Sequence, residues 1–240
     1  DAEDEARRVI DEAVDRLRKA VEEIAEVARR HLEEVEEVVR KLEEIIRESL
    51  ERVRRASEAR EDRALEKIAT ELRKLNEDVR RELERAAEES RRKLEELRRR
   101  LDKVVKDLRE LLKRLRDSGD VAGEVLEALK RVIDTVVRLL EEVLRRLAEI
   151  SEEVLKLLRE VLEKHHDVTR KVVDLLRKVR RDKEAEEVVR RVERLHEDVL
   201  RRLKEVVKRV KELHEEILDR LREILDRVRE LARKVREDLR

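Results

Sequence analysis

Asp117-Ser118-Gly119-Asp120-Val121-Ala122-Gly123 interrupts a helical periodicity that otherwise runs almost the length of the chain. The stretch lies at the midpoint of 240 residues, holds both glycines, and no proline occurs anywhere. Glycine enters the left-handed backbone region without a Cβ clash, so Gly119 predicts the residue that ends one helix. Asp120 then predicts the N-cap of the next. The hinge Ser118-Gly119-Asp120 divides the chain into two halves that fold back on each other.

Moving back from the hinge, apolar residues recur every three or four positions, with one gap of eight that Ser90 divides: Leu115, Leu111, Leu108, Val104, Leu101, Leu97, Leu94, Ala86, Leu83, Val79, Leu75, Leu72, Ile68 and Leu65. That spacing lines one face of a helix. The pattern weakens at Ser57-Glu58-Ala59-Arg60-Glu61-Asp62-Arg63, where a continuous helix would put Arg60 on the core stripe. A turn is expected there, with Asp62 as N-cap. The preceding helix carries Ile10, Val14, Leu17, Val21, Ile24, Ala28, Leu32, Val35, Val38, Leu42, Ile45 and Ile46. Forward from the hinge the same periodicity runs to Val179. It breaks at Arg180-Arg181-Asp182-Lys183-Glu184, whose basic end followed by an acidic first turn is the charge order of a helix junction. It then resumes from Val189 to Val235. A competing division places loops at Asn76-Glu77-Asp78-Val79 and His165-His166-Asp167-Val168. It would put Arg80-Arg81 and Arg170-Lys171 in first turns, where the helix dipole disfavours cations.

The prediction is therefore an all-α protein: an antiparallel, up-down-up-down four-helix bundle with coiled-coil-like packing. It is expected to be a single domain over 1–240, with helices at about 2–58, 62–117, 121–180 and 183–240. At 1.5 Å per residue each helix would be about 85 Å long.

Composition narrows the function classes. Charged residues make up 54%, with 65 Lys+Arg against 65 Asp+Glu, and Phe, Tyr, Trp, Met and Cys are all absent. A net charge of zero offers no electrostatic attraction for nucleic acid or an anionic membrane. Without aromatics there is no stacking platform for single strands. Without cysteine there is no disulfide, thiolate nucleophile or zinc–thiolate site. No apolar run reaches the roughly 18 residues that span a bilayer. The acidic start, Asp1-Ala2-Glu3-Asp4-Glu5, is not that of a targeting peptide. A soluble protein, cytoplasmic in an expression host, is expected.

Folding about the hinge sets residue n of the first helix level with about 120−n, 120+n and 240−n on the others. The few uncharged polar and imidazole residues then gather at two depths. His31 meets Ser90 and Ser151, with His214 one or two turns away. Ser49 meets Thr70, His165, Thr169 and His196. All except Thr70 lie on or beside the apolar stripe. A buried hydroxyl or imidazole without a partner costs about 1–3 kcal/mol, so these groups are expected to bond to one another in two buried polar layers. Such layers penalise wrong register. Burial also predicts depressed imidazole pKa values for His31, His165, His196 and His214.

Motifs for chemistry are sparse. Glu163-x-x-His166 and Glu193-x-x-His196 have the spacing of di-metal carboxylate bundles, with Glu44 or Glu48 and Glu71 as further carboxylates. Glu163 lies off the core stripe, however. His196-Glu197 and His214-Glu215 begin like a zinc-protease helix, but Leu200 and Leu218 stand where the second histidine would be. A Ser90 or Ser151 nucleophile near His31 would lack oxyanion donors, since helix-interior N–H groups are already bonded. No Lys-Ser/Thr follows either glycine, so there is no phosphate loop. Neither catalytic residues nor a resident cofactor or metal is expected.

Helix lengths, the Leu/Val/Ile/Ala core, balanced charge, Asp caps and the Ser-Gly-Asp loop extend over the whole chain. Together they resemble a computationally designed de novo helical bundle. His31, Ser90, Ser151, Ser49, His165 and His196 resemble the buried hydrogen-bond networks of such designs. The glycine-free junctions near Asp62 and Asp182 depart from their usual loops. The resemblance implies a structural scaffold with no natural substrate and no obligatory partner. The alternatives are a helical interaction module, which pairs with or oligomerises through other helices, and a metal-binding four-helix bundle.

Overall fold

The computed structural model describes residues 2–59, 62–119, 121–179 and 182–238. They form four helices: α1 (Ala2–Ala59), α2 (Asp62–Ser118), α3 (Gly123–Arg177) and α4 (Asp182–Asp238). No strand occurs among the described residues. Helix is the outcome local chemistry dictates here. Leu, Ala, Glu, Lys and Arg lose little side-chain freedom in a helix, and no helix interior contains proline. Acid–base pairs one turn apart, such as Arg16–Glu12 and Arg30–Glu26, line the outer faces. Each adds a few tenths of a kcal/mol.

The ends show how the chain stops and restarts. Gly119 has φ of 66°, and its N–H donates to the carbonyl of Arg116 at 3.3 Å. The Ser118 hydroxyl donates to the carbonyl of Leu115 at 2.7 Å. Carbonyls that the helix leaves unbonded at the end of α2 are thus satisfied locally. Asp120, the expected cap of α3, lies outside the described residues. The cap position belongs instead to Ala122, whose carbonyl accepts from the N–H groups of Val125 and Leu126 at 3.0 and 3.2 Å. The helix α3 accordingly begins at Gly123, two residues later than expected. It closes in tightened i to i+3 bonds, Lys178 to Leu175 and Val179 to Leu176. The helix α2 begins at Asp62, the expected cap, and α4 begins at Asp182, within the expected junction. Those two side chains lie outside the described set.

The chain divides into two compact units, each built from a piece of every helix. Unit 1 comprises Asp1–His31, Ser90–Ile150 and Leu213–Arg240, and unit 2 comprises Leu32–Glu89 and Ser151–Glu212. In unit 2, ion pairs mark all four sides of the bundle. Lys41–Glu82 joins α1 to α2, Glu84–Arg159 joins α2 to α3, Glu153–Arg209 joins α3 to α4, and Arg54–Glu193 joins α4 to α1. This cyclic order is that of an up-down-up-down bundle. Direction follows from pairs on the same side. Arg16 meets Asp107 and Glu23 meets Arg100 in unit 1, so numbers fall along α2 as they rise along α1. The neighbouring helices are antiparallel.

These pairs also correct the expected register. Folding about the hinge sets Arg16 level with residue 104, whereas its partner is Asp107. The Lys41 ammonium likewise finds Glu82 rather than residue 79. Helical side chains lean toward their own N-terminus. In an antiparallel pair both partners lean this way, so meeting tips belong to Cα atoms one to two residues later on each helix, three in all.

The core is aliphatic. Ile10, Leu17, Leu42, Ile46, Leu72, Leu108, Leu140, Leu147, Ile150, Leu158, Leu203 and Leu213 are almost wholly sequestered from solvent, and no large apolar side chain is exposed among the described residues. In α2 the inward face differs from the expected one. Leu65, Ala69, Leu72, Asn76, Val79 and Leu83 are buried, whereas Ile68 and Leu75 are only half-buried. Both phases fit the helical period, and the buried set keeps the alternating four-and-three spacing of a coiled-coil seam. The consequence is a buried asparagine.

Candidate functional site: two buried imidazole clusters

Four of the five histidines lie in two clusters, one in each unit. In unit 1, His31 of α1 faces His214 of α4. The Nδ1 of His31 lies 2.8 Å from the Nε2 of His214, and the rings stack with centroids 5.0 Å apart at an interplanar angle of 19°. A hydrogen bond of this length needs one proton between the two nitrogens, so each imidazole serves the other as donor or acceptor. His214 is buried and His31 half-buried. Burial pushes the His31 imidazole from 6.5 down to about 4, and His214 and then Lys93 add positive charge that opposes protonation further.

In unit 2, three helices contribute. Asn76 of α2 and His165 of α3 meet with the asparagine Oδ1 2.8 Å from Nδ1 of the imidazole. His196 of α4 places its own Nδ1 2.8 Å from the carbonyl oxygen of Val192, one turn back on the same helix. The two rings meet edge to face, with centroids 5.8 Å apart and an interplanar angle of 79°. An oxygen acceptor facing Nδ1 sets the tautomer. In both rings Nδ1 carries the proton and donates, which leaves Nε2 as a bare lone pair. Both Nε2 atoms are buried with no hydrogen-bond partner, as is the Nδ2 of Asn76. Burial pushes His165 down to about 3, with His196 and His166 adding to the effect. It lowers His196 as well, partly opposed by the bond to Val192.

The hydroxyls behave differently from the expected layers. Ser49 is buried but donates to the carbonyl of Ile45 at 2.7 Å, and buried Thr169 donates to the carbonyl of His165 at 2.9 Å. Both bonds run back along the same helix, the local alternative always open to Ser and Thr there. Neither needs a partner on another helix. Thr70 bonds to Glu66 in the same way on the exposed face. Ser90 and Ser151 are buried, and neither is without a partner. Ser90 belongs to unit 1 with His31 and His214, whereas Ser151 belongs to unit 2.

Asn76 is the member of the unit 2 cluster that sequence reasoning did not place. It falls four residues after Leu72 and three before Val79, so the seam spacing could have found it. Its neighbour Leu75 offered an apolar side chain that also keeps three-and-four spacing with Leu72 and Val79, and drew the stripe aside.

The candidate di-metal arrangement is not assembled. Glu48 and Glu71 both turn to Arg52, at 2.7 Å each, and Glu193 turns to Arg54 at 2.6 Å. Glu163 is exposed and His166 half-buried. Among the described residues no three metal-ligating side chains converge. Glu48, Glu71 and Glu193 instead form surface ion pairs.

No protein family and no curated protein matches this chain. Among the described residues, no helix is long and apolar enough to cross a membrane. What the site can do follows from its chemistry alone: it holds neutral imidazoles out of water and joins helices through them.

Proposed function

We propose that this protein is a designed structural scaffold, with no natural biochemical activity, whose buried imidazole clusters hold the helices in register. The observation that carries this is the contrast between interior and surface. The core presents cross-helix contacts such as His31–His214 and Asn76–His165, while no large apolar side chain is exposed among the described residues. A helix slipped by one layer would set these polar groups against Leu or Val and leave them unbonded, at about 1–3 kcal/mol each. An aliphatic core without aromatics and a surface of balanced charge add support to the designed origin.

Size-exclusion chromatography with light scattering tests the scaffold against the helical interaction module. A monomer mass of 28.9 kDa is expected. A concentration-dependent dimer or higher species would favour the module. One coincident unfolding transition by two optical probes is the expected mark of a single cooperative domain.

A further inference from the structure

We propose that Ser57 is a phosphoryl-acceptor site, modified by protein kinases that recognise arginine on the N-terminal side of the target hydroxyl. This goes beyond the scaffold role and gives the chain a point at which charge can be added covalently.

Of the five serines and three threonines, Ser57 alone is preceded by arginine at both the second and the third position before it. The run is Arg52-Val53-Arg54-Arg55-Ala56-Ser57, with a further guanidinium five residues before the hydroxyl. Kinases select substrates by charge pattern, and carboxylates in their clefts hold guanidinium groups by paired, charge-assisted hydrogen bonds. The competing hydroxyls lack this pattern. Ser49, Ser90, Ser151 and Thr169 are buried besides. Thr70 is exposed but has only Lys67 at the third position, and Ser118 follows Asp117 directly.

The fold leaves these groups within reach. Ser57 stands two residues before the end of α1 at Ala59, and its hydroxyl donates to the carbonyl of Arg54 on the same helix at 2.6 Å. The side chains of Arg54 and Arg55 are 54% and 74% exposed, and Arg52 is half-buried. Each sits against carboxylates: Arg52 on Glu48 and Glu71, Arg54 on Glu193, and Arg55 on Glu51. Ion pairs on the surface contribute little, so a kinase's carboxylates can take their place. A kinase cleft takes its target extended. The last carbonyls of a helix have no partner within it, and helix ends open at low cost. Unwinding from Arg52 onward also draws the buried Val53 and Ala56 out of the core. The acceptor form is therefore a minor, local opening at the end of α1, and the rate of modification follows its population.

The step transfers the γ-phosphoryl group of Mg-ATP. The bond from that phosphorus to the β,γ-bridging oxygen breaks, a bond to Ser57 Oγ forms, ADP leaves, and the kinase's catalytic aspartate accepts the hydroxyl proton. The product carries about two negative charges in the last turn of α1, next to Glu58, where the helix dipole disfavours anions. Arg54 lies three residues back on the same helix face, so the phosphate competes with Glu193 for it.

The test incubates the whole folded chain with Mg-ATP and the catalytic subunit of a cyclic-AMP-dependent protein kinase, and locates phosphate by peptide mass spectrometry. One phosphoryl group per chain, on Ser57, is expected. Ser57→Ala is expected to abolish incorporation. Arg54→Ala/Arg55→Ala is expected to slow it about 10- to 100-fold for each guanidinium removed, with circular dichroism confirming that both variants are helical. No incorporation into the folded chain, incorporation at Thr70 or Ser118 instead, or an undiminished rate in the arginine variant would overturn the proposal. Labelling of a synthetic peptide of residues 50–60 but not of the whole chain would overturn it equally, by showing that the fold withholds the sequence. The site of labelling on the unaltered chain decides the matter even if a variant does not fold.

Discussion

In unit 1 an imidazole meets an imidazole, and one proton serves both nitrogens of the contact between His31 and His214. In unit 2 the imidazoles of His165 and His196 also touch, but each gives its Nδ1 proton to an oxygen elsewhere, and the two remaining nitrogens face the core as lone pairs. The residue type is the same and so is the aliphatic setting. The difference lies in which nitrogen finds an acceptor first. A neutral imidazole has one donor and one acceptor, so a head-to-tail pair is self-sufficient at its contact, whereas two rings that donate outward accumulate unused acceptors. Burial alone therefore does not determine whether a polar core contact is complete.

Acidification should expose this contrast most strongly. His165 is held near 3 and His31 near 4, both below the unfolded value of 6.5. Above pH 6.5 the folded and unfolded imidazoles are alike neutral, and stability is at its full value. As pH falls below 6.5 the unfolded chain takes up protons that the folded chain refuses, so stability declines until the folded imidazole itself protonates. For His165 that decline is about 1.4 kcal/mol per pH unit, extending to near pH 3. Guanidinium midpoints measured from pH 7.5 to 4.5 should fall steeply. The slope should be shallower in His165→Leu/His196→Leu than in the unaltered chain. Equal slopes would mean that the unit 2 imidazoles are not the neutral, buried groups described above.

The next effect concerns incomplete bonding. His165→Leu should destabilise the protein by about 1–3 kcal/mol, because it strands the buried Asn76 Oδ1 beside an Nδ2 that is already unpaired. Replacing Asn76, His165 and His196 together by leucine should recover that loss, since an all-apolar substitute leaves no polar atom stranded. Chemical denaturation of the two variants side by side measures both, and a triple variant weaker than the single one would refute the asymmetry between the clusters.

The hydroxyls provide the smallest effect and the internal control. Thr169→Val removes a group bonded only to the carbonyl of its own helix, so stability should change by no more than about 0.5 kcal/mol. A loss beyond 1 kcal/mol in the same denaturation assay would place Thr169 in the cross-helix network after all.

Much of this was legible before any coordinates. The Ser118-Gly119 turn follows from a single glycine with no Cβ to clash, and its φ of 66° is the conformation expected. The burial of Ser90, Ser151, His165, His196 and His214 follows from their positions on or beside an apolar stripe. Asn76 was hidden because Leu75 and Asn76 lie only one residue apart, and two such phases fit the helical period nearly as well. The bonding of Ser49 and Thr169 was hidden for another reason: a hydroxyl in a helix can bond backward to its own backbone or across to a neighbour, and depth in the bundle does not distinguish the two.

Sequence by itself determined what depends on neighbours along the chain. It set the helical state, the three-and-four spacing that makes one face apolar, the places where helices stop, and the four-helix class. Only the tertiary structure decided which of two adjacent residues turned inward, how far side-chain lean displaced the register, and which imidazole nitrogen met an oxygen. Periodicity repeats every turn and so is readable from any stretch of the chain. Phase, lean and tautomer depend on atoms of other helices, tens of residues away, and take their values only when those helices are packed together.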